Sequence, residues 1–143
     1  MGQCYNSVVV TASPEDVWKA LKNFHDLSWA PNVITSVEKI GDKPGLEIGA
    51  RRKLNGAFLE TLIELDDEKR TFRYTIDDGP GPVAPEVVEK YVGSAALFPV
   101  TTTGETFVLW KADYESKDDD AVGEFCNPIY QALLTDLAKT FAT

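Results

Sequence analysis

The feature that most constrains this 143-residue chain is one long amphipathic helix pattern at its C-terminus. From about residue 119 to residue 141, apolar side chains recur every three or four positions. They form one stripe: Val122, Phe125, Ile129, Leu133, Leu137 and Phe141. Pro128 lies within this segment, and we expect it to kink the helix because a proline removes one backbone hydrogen bond. A stripe this long needs an equally long apolar surface to cover it.

That surface is predicted to be a sheet, because six strand-like segments precede the helix. The segments are VITSVEKI, IGARRKL, AFLETLIEL, TFRYTID, KYVGSAALFPV and TFVLWKADYE. Most of the breaks between them are short and rich in turn residues, which is typical of antiparallel neighbours. A further strand, CYNSVVVTA, opens the chain.

Two short helices are expected between the first strand and the second. The first of them has clear start signals, since Ser13 can cap it and Pro14 suits its first turn. The whole pattern predicts a single α+β domain over residues 1–143, with a curved, antiparallel, seven-stranded sheet around the C-terminal helix. Strongly curved sheets rarely close tightly on one helix, so we expect a cavity between them.

Composition excludes several classes of function. The net charge of −9 would repel a nucleic-acid backbone, so no nucleic-acid partner is expected. No apolar run is long enough to span a bilayer, and no secretion signal is evident, which favours a cytoplasmic location. Cys4 and Cys126 are expected to be free thiols. With one histidine and no cysteine pair, we predict no metal site and no cofactor.

Alternation along three strands predicts which side chains face the cavity. The inward sets are Phe72, Tyr74 and Ile76; Tyr91, Gly93, Ala95 and Leu97; and Val108, Trp110, Ala112 and Tyr114. The small residues beside Tyr91 have two explanations. They either leave room for a ligand or accommodate a tight contact with a neighbouring element.

The hairpin RRKLNGAFLETLIEL has two possible registers. A two-residue turn pairs Arg51 with Glu60 and leaves Glu60 outside, whereas a three-residue turn pairs Arg52 with Glu60. A slip of one residue moves every side chain to the other face of the sheet. Periodicity alone does not choose between an exposed ion pair and an inward one.

Taken together, the motifs resemble those of the Bet v 1/START-type helix-grip superfamily (SRPBCC), in its polyketide cyclase/dehydratase-like branch. The matching pieces run in order through nearly the whole chain: ASPEDVWKALKNF, Trp29-x-Pro31-x-Val33, Gly49 and Arg52, Glu60 to Glu68, Tyr74 and Ile76, KYVG, and Gly104, Thr106 and Trp110. The resemblance implies a helix-grip fold. Members of the superfamily include hydrophobic-ligand binders, plant hormone receptors and a few enzymes.

The resemblance also implies a polar site. ETLIELDDEKRTFRYTI is similar to the abscisic-acid receptors, in which the first Glu lines the hormone pocket, but the gate and latch loops of the receptors are absent here. The lachrymatory-factor synthases are similar in the same region, and there an Arg, a Glu and a Tyr are associated with proton transfer. The matching positions are Arg52, Glu60 and Tyr91. The resemblance thus favours the three-residue turn, with Arg52 and Glu60 both inward.

The stretch NFHDLSWAPNV holds the single histidine, His25. No serine, cysteine or second histidine is brought to it by the pattern, so we expect His25 to be solvated rather than catalytic. Trp29 lies in the bend that closes one end of the cavity in this fold, and it is expected to be a ligand-facing wall or lid.

The leading hypothesis is a binder of one small, mostly hydrophobic molecule, which could be a lipid, a polyketide or an aromatic metabolite. Its expected ligand-binding residues are Trp29, Arg52, Leu54, Glu60, Phe72, Tyr74, Ile76, Tyr91, Trp110, Phe125, Ile129 and Leu133. The alternative is a cofactor-independent cyclase, dehydratase or isomerase in which Glu60 is the acid/base and Arg52 and Tyr91 stabilise an oxyanion. A third hypothesis is a protein-interaction module like the Hsp90 co-chaperones with this fold. Both a monomer and a homodimer are compatible with the sequence.

Overall fold

A computed structural model describes residues 1–142 and contains one curved sheet and one long helix. The elements in chain order are β1 (Gly2–Val10), α1 (Pro14–Leu21), β2 (Val37–Ile40), β3 (Arg51–Leu54), β4 (Phe58–Asp66), β5 (Thr71–Asp78), a 3₁₀ turn (Gly81–Val83), β6 (Val88–Val100), β7 (Glu105–Ser116) and α2 (Asp119–Thr140). The predicted sequence of strands, short helical region and long C-terminal helix is confirmed.

The seven strands form a single antiparallel sheet in the order β1-β7-β6-β5-β4-β3-β2. Strands that are consecutive from β2 to β7 are neighbours, and the β3–β4, β4–β5 and β6–β7 connections are short hairpin turns. β1 pairs with β7 at the far edge, so α1 and the turns after it carry the chain across to β2 at the other edge. This is the predicted helix-grip architecture.

The structure has one short α-helix between β1 and β2 where two were predicted. Residues 23–34 form successive turns, because their side chains bond the nearby backbone and so compete with a helical ladder. The Asn23 side chain accepts from the His25 backbone N–H at 3.0 Å, and the Asp26 side chain accepts from that of Ser28 at 3.0 Å.

Helix α2 packs on the sheet through a face that is rotated from the predicted stripe. Asp118 caps it by accepting from the Ala121 N–H, and the helix continues through Pro128. Its buried side chains are Val122, Cys126, Tyr130, Leu133, Leu134, Asp136 and Leu137. Phe125, Ile129 and Phe141, which the stripe placed at the centre of this face, are only half-buried.

The inward sets predicted from alternation are confirmed on β6 and β7, where Tyr91, Ala95, Val108 and Trp110 are all buried. Gly93 settles the question of the small residues on β6. A Cβ atom on Gly93 would collide with the Tyr74 ring. The small residue therefore accommodates a tight contact between β5 and β6.

The β3–β4 hairpin adopts the three-residue turn. Leu54 pairs with Phe58 and Arg52 pairs with Glu60, so the last two share one face of the sheet. Both side chains are buried, at 4% and 5% exposure for the two residues. This is the register that periodicity left open and the family resemblance favoured, and it places a charged pair on the inner face.

Candidate functional site

A cavity of about 230 Å³ lies between the concave face of the sheet and α2. Sixteen residues line it, most of them apolar. Nine of these were predicted from the sequence: Arg52, Leu54, Glu60, Tyr74, Ile76, Tyr91, Trp110, Ile129 and Leu133. The structure thus brings most of the sequence-based site residues to a single internal space.

The charged pair Arg52–Glu60 occupies one end of this space. The Arg52 Nε and the second guanidinium nitrogen, Nη2, both donate to Oε1 of Glu60, at 2.8 and 2.7 Å. Nη1 of Arg52 donates to the Phe24 carbonyl at 2.9 Å, and the guanidinium carbon lies 3.8 Å from the centre of the Phe24 ring. The cation is therefore held on three sides, and a buried charge that is paired and hydrogen-bonded in this way is tolerated in an apolar interior.

Burial is the largest influence on the pKa of the Glu60 carboxyl. Removal from water raises the pKa of Glu60, because the charged form is the one that loses most solvation, and the nearby Arg52 opposes this rise. A buried carboxyl with a raised pKa is chemically suited to holding or moving a proton.

A chain of three tyrosine hydroxyls occupies the rest of the polar lining. The Tyr74 hydroxyl is 3.1 Å from that of Tyr130, and the Tyr130 hydroxyl in turn bonds that of Tyr91. The Trp110 indole N–H donates to Tyr74 at 3.1 Å. Strands β5 and β6 supply the two ends of the chain and α2 supplies its centre, so the hydroxyls connect the sheet to the helix. We call Tyr74, Tyr130 and Tyr91 the tyrosine chain.

Burial also keeps these phenols protonated. It raises the pKa of Tyr74, Tyr91 and Tyr130 above the ordinary phenol value. Beside them, burial raises the pKa of the Cys126 thiol to about 11. The tyrosine chain is therefore a set of neutral hydrogen-bond donors and acceptors and a poor source of protons for acid catalysis.

Three of the predicted residues do not line the cavity. Trp29 and Phe72 pack behind Trp110, with ring centres 6.0 and 5.6 Å from it. Phe125 stacks on Phe58, at the half-buried edge of α2. The bend after α1 folds inward, so Trp29 is buried in the core and does not form the expected lid.

His25 lies outside the cavity and is not freely solvated. It is half-buried, and its Nε2 atom lies 2.8 Å from the Arg51 carbonyl oxygen. This contact ties the turn after α1 to β3. The expectation of a solvated histidine is therefore wrong, because the folded turn brings the ring against a strand.

Seven lining residues were missed by sequence reasoning: Leu27, Val33, Ile34, Asn55, Phe58, Cys126 and Tyr130. Tyr130 matters most, because it joins the two ends of the tyrosine chain. A signal for it existed, since Val122, Cys126 and Tyr130 also recur at helical spacing. Leu27, Val33, Ile34 and Asn55 lie in turns and loops, where periodicity carries no information, and Phe58 is the first residue of β4.

The turn at the end of the cavity is fixed by polar contacts. The Asn55 amide donates to the Val33 carbonyl at 3.0 Å and accepts from the Thr35 N–H at 2.8 Å. On the other side, the buried Asp136 of α2 accepts from the backbone and side-chain amides of Asn32, at 2.8 and 2.9 Å. The wall formed by residues 27–34 is thus attached to both the hairpin and the helix.

A second groove lies where β5 and β6 separate. Their backbone pairing ends at Thr75 and Val92, although β5 continues to Asp78. Ile76 and Tyr91 line both this groove and the cavity. These two side chains therefore form the partition between the cavity and the groove.

Exposed large apolar residues lie on several elements. Tyr5 and Val9 lie on β1, Ile63 on β4 and Phe98 on β6. The protein-interaction hypothesis stays a prediction.

Among residues 1–142, neither helix has the length and apolar character of a membrane span.

Known structures share this fold over almost the full chain. A protein from Nitrosospira multiformis is 45% identical, with a TM-score of 0.95 and coverage of 99% of this chain and 97% of that one. The protein XoxI from Bacillus cereus is 23% identical, with a TM-score of 0.81 and coverage of 99% and 96%. Norcoclaurine synthase from Thalictrum flavum, solved with dopamine and hydroxybenzaldehyde, is 19% identical, with a TM-score of 0.73 and coverage of 96% and 84%.

A search of curated proteins found no match. The model of one protein family does match, over residues 1–142. Its description is "Polyketide cyclase / dehydrase and lipid transport". Both the fold and the resemblance drawn from the sequence agree with this match, and the chain belongs to the polyketide cyclase/dehydrase and lipid transport family.

Proposed function

We propose that this protein binds one small, mostly apolar molecule in the cavity between the sheet and α2. The observation that carries the proposal is the cavity itself, which combines an apolar wall with two converging polar groups, the Arg52–Glu60 pair and the tyrosine chain. Ligand sites in proteins have this composition, since apolar lining supplies affinity and a few fixed polar atoms supply orientation.

Direct detection of a bound molecule tests the proposal. Native mass spectrometry of the purified protein is expected to show an added mass that disappears on denaturation. Extraction of the same sample with an organic solvent then identifies the molecule. A protein that carries no added mass, and that also binds none of a panel of small aromatic and alicyclic compounds, would contradict the proposal.

A cyclase, dehydratase or isomerase activity is a second candidate, and the raised pKa of Glu60 favours it. In that mechanism Glu60 moves a proton, while Arg52 and a tyrosine hydroxyl stabilise the developing negative charge on a substrate oxygen. Tyr91 supports this only as a donor, because its pKa is raised well above the ordinary value.

Glu60→Gln separates the two functions. The variant leaves Arg52 without its counter-charge and is expected to be less stable, so both quantities are measured where circular dichroism shows it folded. There, a protein that only binds keeps its ligand affinity within a few-fold, since the amide preserves the shape of the side chain. An enzyme loses turnover by about 100-fold or more, the usual scale for a general acid/base. Glu64→Gln, on the same strand but exposed and paired with Arg73, is the matched control and is expected to change neither quantity.

A further inference from the structure

The size of the cavity limits what it can hold. An apolar cavity of roughly 150 Å³ accommodates benzene, and drug-sized ligands occupy pockets of roughly 300–1,000 Å³. The present cavity, at about 230 Å³, lies between these. This volume fits a molecule of one or two rings, and a long acyl chain or a multi-ring polyketide would extend beyond it.

The charge of the cavity is balanced before any ligand enters. Among the sixteen lining residues, Arg52 and Glu60 are the two that ordinarily carry charge, and they are paired with each other. The guanidinium is further occupied by the Phe24 carbonyl. An anionic ligand would add a negative charge to a neutral, buried space, which is costly without a free cation to meet it.

The tyrosine chain leaves one donor over. Three hydroxyl groups carry three hydrogens, but the chain contains only two hydroxyl–hydroxyl bonds, Tyr74–Tyr130 and Tyr130–Tyr91. The Trp110 N–H donates to Tyr74 and consumes no hydroxyl hydrogen. Whichever way the bonds run, one hydroxyl hydrogen is not used within the chain.

All three tyrosines line the cavity, so a ligand oxygen in it can accept this remaining hydrogen. A buried donor without an acceptor is unfavourable, so a ligand oxygen that accepts it gains affinity over an isostere that cannot. The weak acceptor Cys126 Sγ lies beside Tyr91, and a ligand oxygen is the stronger competitor for the same hydrogen.

We propose that the cavity selects compact, uncharged ligands of one or two rings that carry an acceptor oxygen, such as an aromatic or alicyclic ketone. The tyrosine chain donates a hydrogen bond to this oxygen. Tyr130 lies at the centre of the chain and bonds both of the other hydroxyls. This inference rests on the proposed function, because it names the ligand class of the same cavity.

Three probes of nearly equal size and shape test it: acetophenone, its hydrocarbon isostere α-methylstyrene, and benzoate. Isothermal titration calorimetry of the full-length protein at pH 8 gives the three dissociation constants. Acetophenone is expected to bind about 10-fold more tightly than α-methylstyrene, the scale of one buried hydrogen bond. Benzoate, which is ionised at this pH, is expected to bind at least about 10-fold more weakly than acetophenone.

Two variants assign the preference to the hydroxyls. Tyr74→Phe combined with Tyr91→Phe and Tyr130→Phe keeps the shape of the cavity and is expected to remove the preference for acetophenone while α-methylstyrene still binds. Tyr114→Phe is the control. Tyr114 is also buried and stacks on Tyr91 at 5.7 Å, but it does not line the cavity, so the preference is expected to persist.

The outcomes distinguish failure of the ligand class from failure of the proposed function. Equal affinity for acetophenone and α-methylstyrene, tighter binding of benzoate, or tighter binding of the long-chain alcohol hexadecanol overturns the ligand class but leaves a small-molecule site in place. A preference for acetophenone that survives loss of all three hydroxyls overturns the role of the tyrosine chain. Absence of binding by every probe overturns both the ligand class and the proposed function. The wild-type comparison decides the ligand class even if the triple variant does not fold.

Discussion

Two polar groups share one apolar cavity, and they differ in charge. The Arg52–Glu60 pair joins β3 to β4 and is ionic: two guanidinium nitrogens donate to one carboxylate oxygen and a third donates to the Phe24 carbonyl, so each charge depends on the other. The tyrosine chain joins β5 and β6 to α2 and is uncharged, with one more hydroxyl hydrogen than it has internal bonds.

From this difference we expect the charged pair to stabilise the fold and the tyrosine chain to contact a ligand. A buried ion pair is destabilised strongly when one partner is lost, because the other charge remains without compensation. Leaving a neutral hydroxyl unpaired costs less free energy than leaving a charge unpaired, so a hydroxyl is more readily available to a ligand. We therefore expect loss of stability to dominate when the charged pair is changed, and altered ligand preference to dominate when the tyrosine chain is changed.

The largest effect is expected from Arg52→Met, which leaves Glu60 buried without its partner. The free energy of unfolding should fall by about 3 kcal/mol, as measured by urea unfolding at pH 7. The neighbouring Arg51 is the control: its side chain is 41% exposed and its ion pair with Asp77 is long, at 3.7 Å. Arg51→Met should cost less than about 1 kcal/mol. Equal losses in the two variants would contradict this interpretation of the pair.

The same variant has a predicted pH dependence. Arg52 lowers the pKa of Glu60, so its removal raises the folded-state pKa further above the ordinary value of 4.5. A carboxyl whose pKa is higher in the folded state favours folding while protonated, and that contribution is lost as the pH rises. Between pH 5 and pH 8, Arg52→Met should therefore lose stability more steeply than the wild type. Parallel pH profiles would show that Glu60 does not titrate in this window.

A smaller effect is expected from Gly93→Ala, which would push a methyl group into the Tyr74 ring and displace one end of the tyrosine chain. Overpacking of this kind costs about 2 kcal/mol. Ser94→Ala changes the adjacent residue, which is only half-buried, and should be close to neutral. Thermal and urea unfolding of the two variants measures the difference, and a harmless Gly93→Ala would argue against the close contact.

Tyr130→Phe should cost about 1 kcal/mol, because two hydroxyls lose their shared partner. The exposed Tyr5 is 59% accessible and serves as the control, since Tyr5→Phe should change the unfolding free energy by less than half that amount. A Tyr130→Phe protein as stable as the wild type would mean that the hydroxyl chain contributes nothing to folding and is free for ligand binding alone.

Chemical modification of Cys126 tests the same region without a substitution. With a pKa of about 11, the Cys126 thiol is almost entirely protonated at pH 8. Alkylation by iodoacetamide should be about 100-fold slower than for a free cysteine, because the thiolate is the reacting form. Mass spectrometry of the folded and urea-unfolded protein measures the ratio. Fast modification of the folded protein would show that water reaches this end of the cavity.

The order of elements was predictable because each depends on local pattern: alternation in the strands, helical spacing in the C-terminal segment and turn residues between them. Strand alternation also placed Tyr74, Tyr91 and Trp110 on the inner face, and all three line the cavity. The two-residue alternation along a strand can specify these parts of the site, because it determines which face each side chain occupies.

The remaining parts depend on geometry that local pattern does not contain. The hairpin register required a turn in which Asn55 and Gly56 both have positive φ values, of 54° and 65°; periodicity was compatible with a one-residue slip as well, and only the family resemblance favoured the observed turn. The face of α2 was misplaced in part because Phe125 and Ile129 are more apolar than Cys126 and Tyr130, which are the more buried residues. A polar hydroxyl chain in the core favours the less apolar face, and hydropathy alone does not reveal that.

An NMR titration shows directly whether the space between the sheet and α2 is a ligand site. In ¹⁵N-labelled protein the three tryptophan indole N–H groups give separate NMR signals, and titration with acetophenone should shift the signal of Trp110, which lines the cavity and donates to Tyr74. The shift should saturate, while the signal of Trp18 stays fixed, because its indole N–H bonds Asp67 at 2.9 Å, outside the cavity. An unchanged Trp110 signal at saturating ligand, or an equal shift of Trp18, would contradict the account.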